Sequence, residues 1–194
     1  MKTFLIILGI ISLLFLASQI YVYKSSRNIE GYKYAVIKVY NGFEIRKYEA
    51  RLFTAVKLDT DKYKQASSKG FSILGGYIFG KNEKKEQIPM TSPVAMSLEE
   101  EMTMLFLVPK KFTKESLPTP KNSKIKFIEV PEKNMAAITF GGWANDKKIK
   151  KYKQALIKLL DTKGIKHTNK FSVLGYNPPY EIWFRKNEII VELE

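Results

Sequence analysis

Cysteine is absent from this 194-residue chain. Its absence excludes disulfides, a thiolate nucleophile, thiolate zinc sites and the C-x-x-C-H attachment of c-type haem. Histidine occurs once, at His167. A metal site built from several imidazoles is therefore excluded, and a Ser-His-Asp triad would have to use that residue. Gly-x-Ser-x-Gly and helical His-Glu-x-x-His are also missing, and no paired carboxylates mark acid–base chemistry. Nothing in these residues demands catalysis, and no enzyme is expected.

Acidic charge is scarce. Lys and Arg number 33 against 19 Asp and Glu, a formal net charge of +14. Such a balance suits anionic partners, whether nucleic acid, lipid headgroups or carboxylate-bearing ligands, without choosing among them. Between Thr3 and Tyr23 charge is missing altogether. Phe4 to Tyr23 is almost continuously apolar and, as a helix rising about 1.5 Å per residue, would reach about 30 Å, enough to cross a bilayer. The rival reading is a cleaved signal peptide. Cutting after Ala17 or Ser18 would leave Phe15 or Leu16 at the −3 position, where a small residue is wanted. We therefore expect a membrane anchor at 1–23, a polar linker at 24–31 and a folded domain at 32–194. Flanking cations (Lys2 before, Lys24 and Arg27 after) barely fix orientation. The short N-terminal tail favours a domain on the exported side, periplasmic or extracellular, or secreted if the segment is cleaved.

The rest reads as two similar halves. Tyr34–Val39 and Phe43–Leu58 are strand-like and flank Asn41-Gly42, a hairpin signal. Asp61–Gly80 spaces Tyr63, Ala66, Phe71, Leu74 and Ile78 near one helical face. Ile88–Leu98 and Met102–Val108 follow as strands, and Pro109–Ser123 as a loop. The order then recurs, with strands at Lys124–Val130 and Asn134–Phe140 and a helix at Asp146–Lys163. Ile149, Tyr152, Leu156, Leu159 and Leu160 form that helix's apolar stripe, and Gly164 stops it. Strands at Phe171–Tyr176 and Glu188–Glu194 close the chain. Lys-Tyr-Lys-Gln-Ala stands at 62–66 and again at 151–155, which supports duplication. A second echo, Phe71–Gly75 against Phe171–Gly175, falls on a helix in one half and a strand in the other and is treated as coincidence. The pattern predicts an α+β fold with a mainly antiparallel sheet.

Several motifs nearly match. Gly75 to Asn82 fits G-x-x-x-x-G-K but has Asn82 where Ser or Thr is needed, and it ends a helix instead of opening one. Lys69-Gly70-Phe71 begins like an RNA-recognition motif in a helical context where a strand is required. No specific nucleic-acid partner is expected. Glu99-Glu100-Glu101 reads as a solvated turn. His167 reads as an exposed loop histidine, with haem-iron ligation the sharper alternative.

Seven segments together resemble the SOUL haem-binding protein family. They are Phe43-Glu44-Ile45-Arg46-Lys47-Tyr48-Glu49, Gly76-Tyr77-Ile78-Phe79-Gly80-Lys81-Asn82, Ile88-Pro89-Met90-Thr91-Ser92-Pro93-Val94, Phe106-Leu107-Val108-Pro109-Lys110-Lys111-Phe112, Phe140-Gly141-Gly142-Trp143, Tyr176-Asn177-Pro178-Pro179 and Arg185-Lys186-Asn187-Glu188. The resemblance covers roughly residues 32–194. It implies a distorted antiparallel β-barrel from two βαββ pseudo-repeats, with two helices packed on it. It also implies non-covalent haem binding, and possible binding of other porphyrins, in a shallow cleft between Tyr63–Phe79 and Tyr176–Lys186. Carried onto this chain, ring contacts fall to Phe71, Leu74, Tyr77 and Ile78. Lys81, Arg185 and Lys186 are placed to meet propionates, and Tyr63, Tyr180 and Trp183 complete the cleft. A histidine ligand is not a general property of the family. The segment Tyr180–Phe184 departs from the family in lacking further prolines after Asn-Pro-Pro. The function implied is haem or tetrapyrrole transport, buffering or scavenging at a membrane. The alternative is a non-enzymatic module of the same fold for another amphipathic anion or a protein partner.

Overall fold

A computed structural model describes residues 2–26, 29–99 and 101–194. Arg27 and Asn28 of the expected linker, and Glu100 of the acidic run, lie outside the described residues. The first element, α1 (Lys2–Ser26), is long and apolar enough to cross a membrane. Its flanks are exposed nearly all round, as an apolar helix is wherever little of the protein covers it.

Nine strands and two further helices follow, β1 (Tyr34–Tyr40), β2 (Phe43–Tyr48), β3 (Arg51–Lys57), α2 (Tyr63–Ile78), β4 (Val94–Ser97), β5 (Thr103–Leu107), β6 (Ile125–Val130), β7 (Lys133–Gly141), α3 (Asp146–Thr162), β8 (His167–Gly175) and β9 (Lys186–Leu193). The strands form one curled antiparallel sheet in the order β1-β2-β7-β9-β8-β4-β5-β3-β6. Its edges, β1 and β6, do not pair, so the barrel stays open. The order exposes the duplication. β7-β9-β8 and β3-β5-β4 are the same three-strand unit, each with its helix between first and second strand, and they meet at β8–β4. Each half lends its leading strand to the other: β2 pairs with β7, and β6 with β3.

Local chemistry sets the elements. Gly42 supplies the positive φ (96°) that the two-residue β1–β2 turn requires. The Asn145 side chain accepts from Lys148 N and caps α3, and Gly164 (φ 64°) ends it. Alternation along the strands puts Ile138, Ile189, Val173, Met96, Met104, Val56 and Ile125 in one laterally paired row across seven strands. Every member is buried. The helices close this face, α2 over β3 and β5 and α3 over β7, β8 and β9. On the α3 side Ile149, Leu156 and Leu160 of the expected stripe turn inward.

Three expectations shift. Phe43–Leu58 breaks at Glu49-Ala50 into β2 and β3, which pair with different halves. Ile88–Leu98 contributes only Val94–Ser97, because Pro89 and Pro93 withhold the donors a ladder needs. The Lys-Tyr-Lys-Gln-Ala echo is not in structural register. Lys62 is the N-cap of α2, whereas Lys151 lies inside α3. The duplication therefore rests on topology. Gly75 to Asn82 does end α2, the negative end of a helix dipole, which repels phosphate.

Candidate functional site

The β8–β9 connection is a ten-residue loop that closes on Arg185. Its guanidinium donates to three loop carbonyls, Pro178 O (2.9 Å), Glu181 O (2.6 Å) and Asn177 O (3.3 Å). Its Cζ lies 3.8 Å from the centre of the Trp143 ring. Asn177 Oδ1 accepts from Lys186 N, and Asn187 Nδ2 donates to Gly142 O, so the loop is tied at both ends. Burial pulls the Arg185 pKa down, against the charge of Glu181. A guanidinium still stays charged at neutral pH. Its Nε is buried without an acceptor.

The tip of this loop is apolar and faces out. Tyr180, Ile182, Trp183 and Phe184 are all exposed, Phe184 at 80%. Phe184 also takes a left-handed φ of 56°, an unusual state for a bulky residue, held between two ends that Arg185 fixes. Beside the loop lies the start of α2. Burial raises the Tyr63 pKa, and Arg185 is close enough to oppose the rise. The backbone N–H of Tyr63 donates to Asp146 Oδ1 at 2.8 Å, so the first residue of α3 caps α2 and the two helix N-termini converge here.

The structure thus brings Tyr63, Tyr180, Trp183, Arg185 and Lys186 to one end of the sheet. Lys186 is half-buried over Tyr176 and paired with Glu188 at 3.0 Å. Three others leave the set. Leu74 (0%), Tyr77 (1%) and Ile78 (4%) are core, because the helical stripe that marks them is the face α2 turns to the sheet. The ring contacts expected of them do not fit that burial. Phe71 is half-buried edge-on to Phe106. Lys81 is exposed just past the C-terminal end of α2, about 24 Å of helix from Tyr63. His167, expected as an exposed loop residue, is half-buried at the start of β8 because that strand begins four residues earlier than expected, and it lies about 26 Å from the loop at the other end of the strand. Its Nδ1 lies 2.7 Å from Thr168 O. It cannot reach a ligand on the loop. Reading the sequence missed Trp143, Asp146 and Gln19. Trp143 had a signal, since it ends the Phe-Gly-Gly-Trp segment.

The core cavity beside Tyr77 and Ile78 measures about 10 Å³, room for no more than a water. A depression of about 440 Å³ lies at the β1–β2 edge, lined by Tyr32, Tyr34, Lys33, Lys47, Glu49 and Glu132. Its Lys47 is already paired with Glu132 at 2.7 Å. Among the described residues no cluster of histidines and carboxylates suits a metal ion.

The other sheet face carries a buried ionic network. Glu188 (0% exposed) accepts from Arg46 Nη1 (2.8 Å) and Nη2 (3.1 Å), Tyr176 Oη (2.6 Å) and Thr139 Oγ1 (3.2 Å). Burial pushes the Glu188 pKa up, but hydrogen bonds from Arg46 and Tyr176 and the charges of Arg46 and Lys186 outweigh it and hold it below the usual value. Arg46 lies 4.3 Å over Tyr34.

Fold and loop together define a class, a pseudo-duplicated α+β domain with an open antiparallel sheet and an exposed aromatic loop at one end of it. Residues 29–192 match the profile of the SOUL heme-binding protein family, and the chain belongs to that family. It is 25% identical over 155 residues to Heme-binding protein 1 of Xenopus laevis, covering 76% of this chain and 81% of that one. It is 26% identical over 156 residues to Heme-binding protein 2 of Mus musculus, covering 76% of each. The crystal structure of the EcmrR C-terminal domain superposes with a TM-score of 0.62 at 11% identity, over 78% of this chain and 96% of that one. That likeness is one of fold.

Proposed function

We propose that this chain is a non-enzymatic haem- or tetrapyrrole-binding protein tethered to a membrane by α1, and that it takes its ligand on the face formed by Tyr63, Trp143, Tyr180, Trp183, Arg185 and Lys186. The observation that carries the reading is the exposed aromatic loop tip held by Arg185. A planar apolar ring with carboxylate arms needs flat apolar surface and cations at its margin. The loop offers Trp183 and Tyr180 as surface and Lys186 at the margin. The buried, acceptor-less Nε of Arg185 is a further donor of the right charge. The residues present therefore fit the group.

When bound, haem would bring an iron centre to this face. The chain's own contribution is to bind and orient. With His167 at the far end of β8, and Tyr63 kept protonated by burial, recognition rests on the ring and its carboxylates. The tether and the exported placement suit a role in transport, buffering or scavenging at a membrane surface.

The test is a titration of the full chain in lipid nanodiscs with haemin and with protoporphyrin IX. Nanodiscs carrying an unrelated single-span basic protein are the control. Saturable one-to-one binding of both ligands is expected. Trp183→Ala should weaken it about tenfold, near 1.4 kcal/mol, and His167→Ala should leave it unchanged. Binding equal to the control sinks the proposal. Binding of haemin alone, lost in His167→Ala, would move the site to the other end of β8.

A further inference from the structure

The side chains of α1 are exposed among the described residues with one clear exception. Gln19 is buried, at 9%. It is covered by the β8–β9 loop. Its amide nitrogen donates to Tyr180 O at 3.4 Å, and its oxygen accepts from Ile182 N at 3.2 Å. One turn earlier, Phe15 meets Trp183 edge-on with ring centroids 5.8 Å apart. The apolar helix and the apolar loop are thus in contact through two rings and a pair of hydrogen bonds.

From these contacts we infer that the loop tip, Tyr180 to Phe184, is seated in the interface of the same lipid bilayer that α1 spans. This inference rests on the reading of α1 as a membrane span. Three observations lead to it. First, the surface chemistry is wrong for water. Tyr180 is 64% exposed, Ile182 48%, Trp183 42% and Phe184 80%, a contiguous apolar tip of the kind that marks a partner or membrane surface. Residues 177–184 include one charged side chain, Glu181, and it is buried at 2%. A chain of net charge +14 thus presents a loop tip with no exposed charge. Second, the position is right. Phe15 and Gln19 stand about 12 and 6 Å inside the Tyr23 end of the apolar run. Gln19 thus lies within the roughly 5–10 Å depth of interfacial side chains and Phe15 just beneath it, and Trp and Tyr are the residues that populate that zone. Third, the Gln19 contact has the logic of a lipid environment. In water a surface glutamine is hydrated and indifferent to its neighbours. In hydrocarbon an unpaired amide is expensive, and here loop backbone satisfies it while Gln19 satisfies the loop.

The experiment uses the full-length Trp143→Phe protein, which leaves Trp183 as the sole remaining tryptophan of the two. It is reconstituted in phosphatidylcholine vesicles with or without lipid brominated on the upper acyl chain. Flotation reports the anchor, and Trp183 emission reports the loop. The expected result is flotation, a roughly twofold loss of Trp183 emission in brominated vesicles, and protection from aqueous iodide. Wild-type and Trp183→Phe proteins, measured alongside, guard against a disturbed Trp143→Phe fold. Bromine quenching must fall when Trp183 is removed. If the protein floats but Trp183 is quenched by iodide and not by bromine, the loop hangs in water and the inference is wrong, while the anchor reading stands. If the protein does not float, the anchor reading fails and takes the inference with it. Equal bromine quenching in wild type and Trp183→Phe would also overturn it.

Discussion

Glu188 holds the buried network of the sheet together, and removing it should destabilise the domain sharply. Its carboxylate is wholly buried and bridges Arg46, Tyr176 and Thr139, with Lys186 Nζ at 3.0 Å. The Arg46 side chain is 4% exposed. Glu188→Ala would leave that guanidinium buried over Tyr34, with Glu44, 34% exposed at its side chain, as its remaining ion-pair partner among the described residues. Truncating one member of a buried pair costs about 3–5 kcal/mol. For a domain of this size each kcal/mol moves Tm by about 2–4 °C, so the loss should be about 6–20 °C. Replacing both members by Met should recover most of it, because an apolar pair of similar volume needs no counter-charge. Thermal and urea melts of the full chain in micelles would measure the cycle. A loss below about 1 kcal/mol for Glu188→Ala, or a double variant as unstable as the sum of the singles, would refute the reasoning. The pH dependence gives a second check. The folded Glu188 pKa lies below its ordinary 4.5. A carboxylate of lowered pKa adds stability above the unfolded value and loses it as pH falls through the folded one. The gap between wild type and Glu188→Gln should be full above about pH 4.5 and close in stronger acid. A gap that stays constant across that range would count against the ionic account.

Two further substitutions test how the fold is held. Gly70→Ala would put a Cβ 2.9 Å from Met104 Cβ and Sδ and 3.0 Å from Leu58 Cδ1. The Met104 Cβ cannot rotate away. Overpacking of about 1–3 kcal/mol should outweigh the gain of about 1 kcal/mol in helix propensity, and a higher Tm would contradict the close α2–β5 approach. Asn82 is fully buried; its amide donates to Tyr77 O and Glu86 O and its oxygen accepts from Glu86 N. Asn82→Ala should cost about 2 kcal/mol in a urea melt, and Asn82→Asp should not rescue it, since a carboxylate cannot donate.

Helices and core stripes were legible because burial imprints a period. Ile149, Leu156 and Leu160 are readable as one face of α3 from their spacing alone. The break at Glu49-Ala50 was not, because neither residue punctuates a strand. The chain breaks there to change partners, and pairing with β7, some ninety residues on, leaves no local mark. The period does not separate a ligand face from a core face. Leu74, Tyr77 and Ile78, to which the family resemblance assigns ring contacts, lie on the face that α2 buries. Gln19 carried a signal that could have been used. It is the amide inside an otherwise apolar run, and an amide in such a run needs a partner.

The residues that carry the family resemblance turn out to be clasps. Asn82 organises the turn after α2, Thr91 Oγ1 donates to Leu107 O, Arg185 gathers three loop carbonyls, Asn187 holds Gly142, and Glu188 anchors Arg46. There is a physical reason for this. A buried polar group must meet a partner of definite shape at a definite distance, so few residue types can replace it, and it leaves a readable motif. A loop tip that stacks on a ring or rests in lipid asks only for flat or apolar surface. Tyr180, Ile182, Trp183 and Phe184 meet that demand without belonging to any pattern. The motifs therefore identify the scaffold and the mouth of the loop, while the ligand and membrane contacts proposed above fall on its least patterned residues. Arg185 joins the two levels, since the clasp that builds the loop also brings its buried charge and the Trp143 ring to the face where the ligand is proposed to bind.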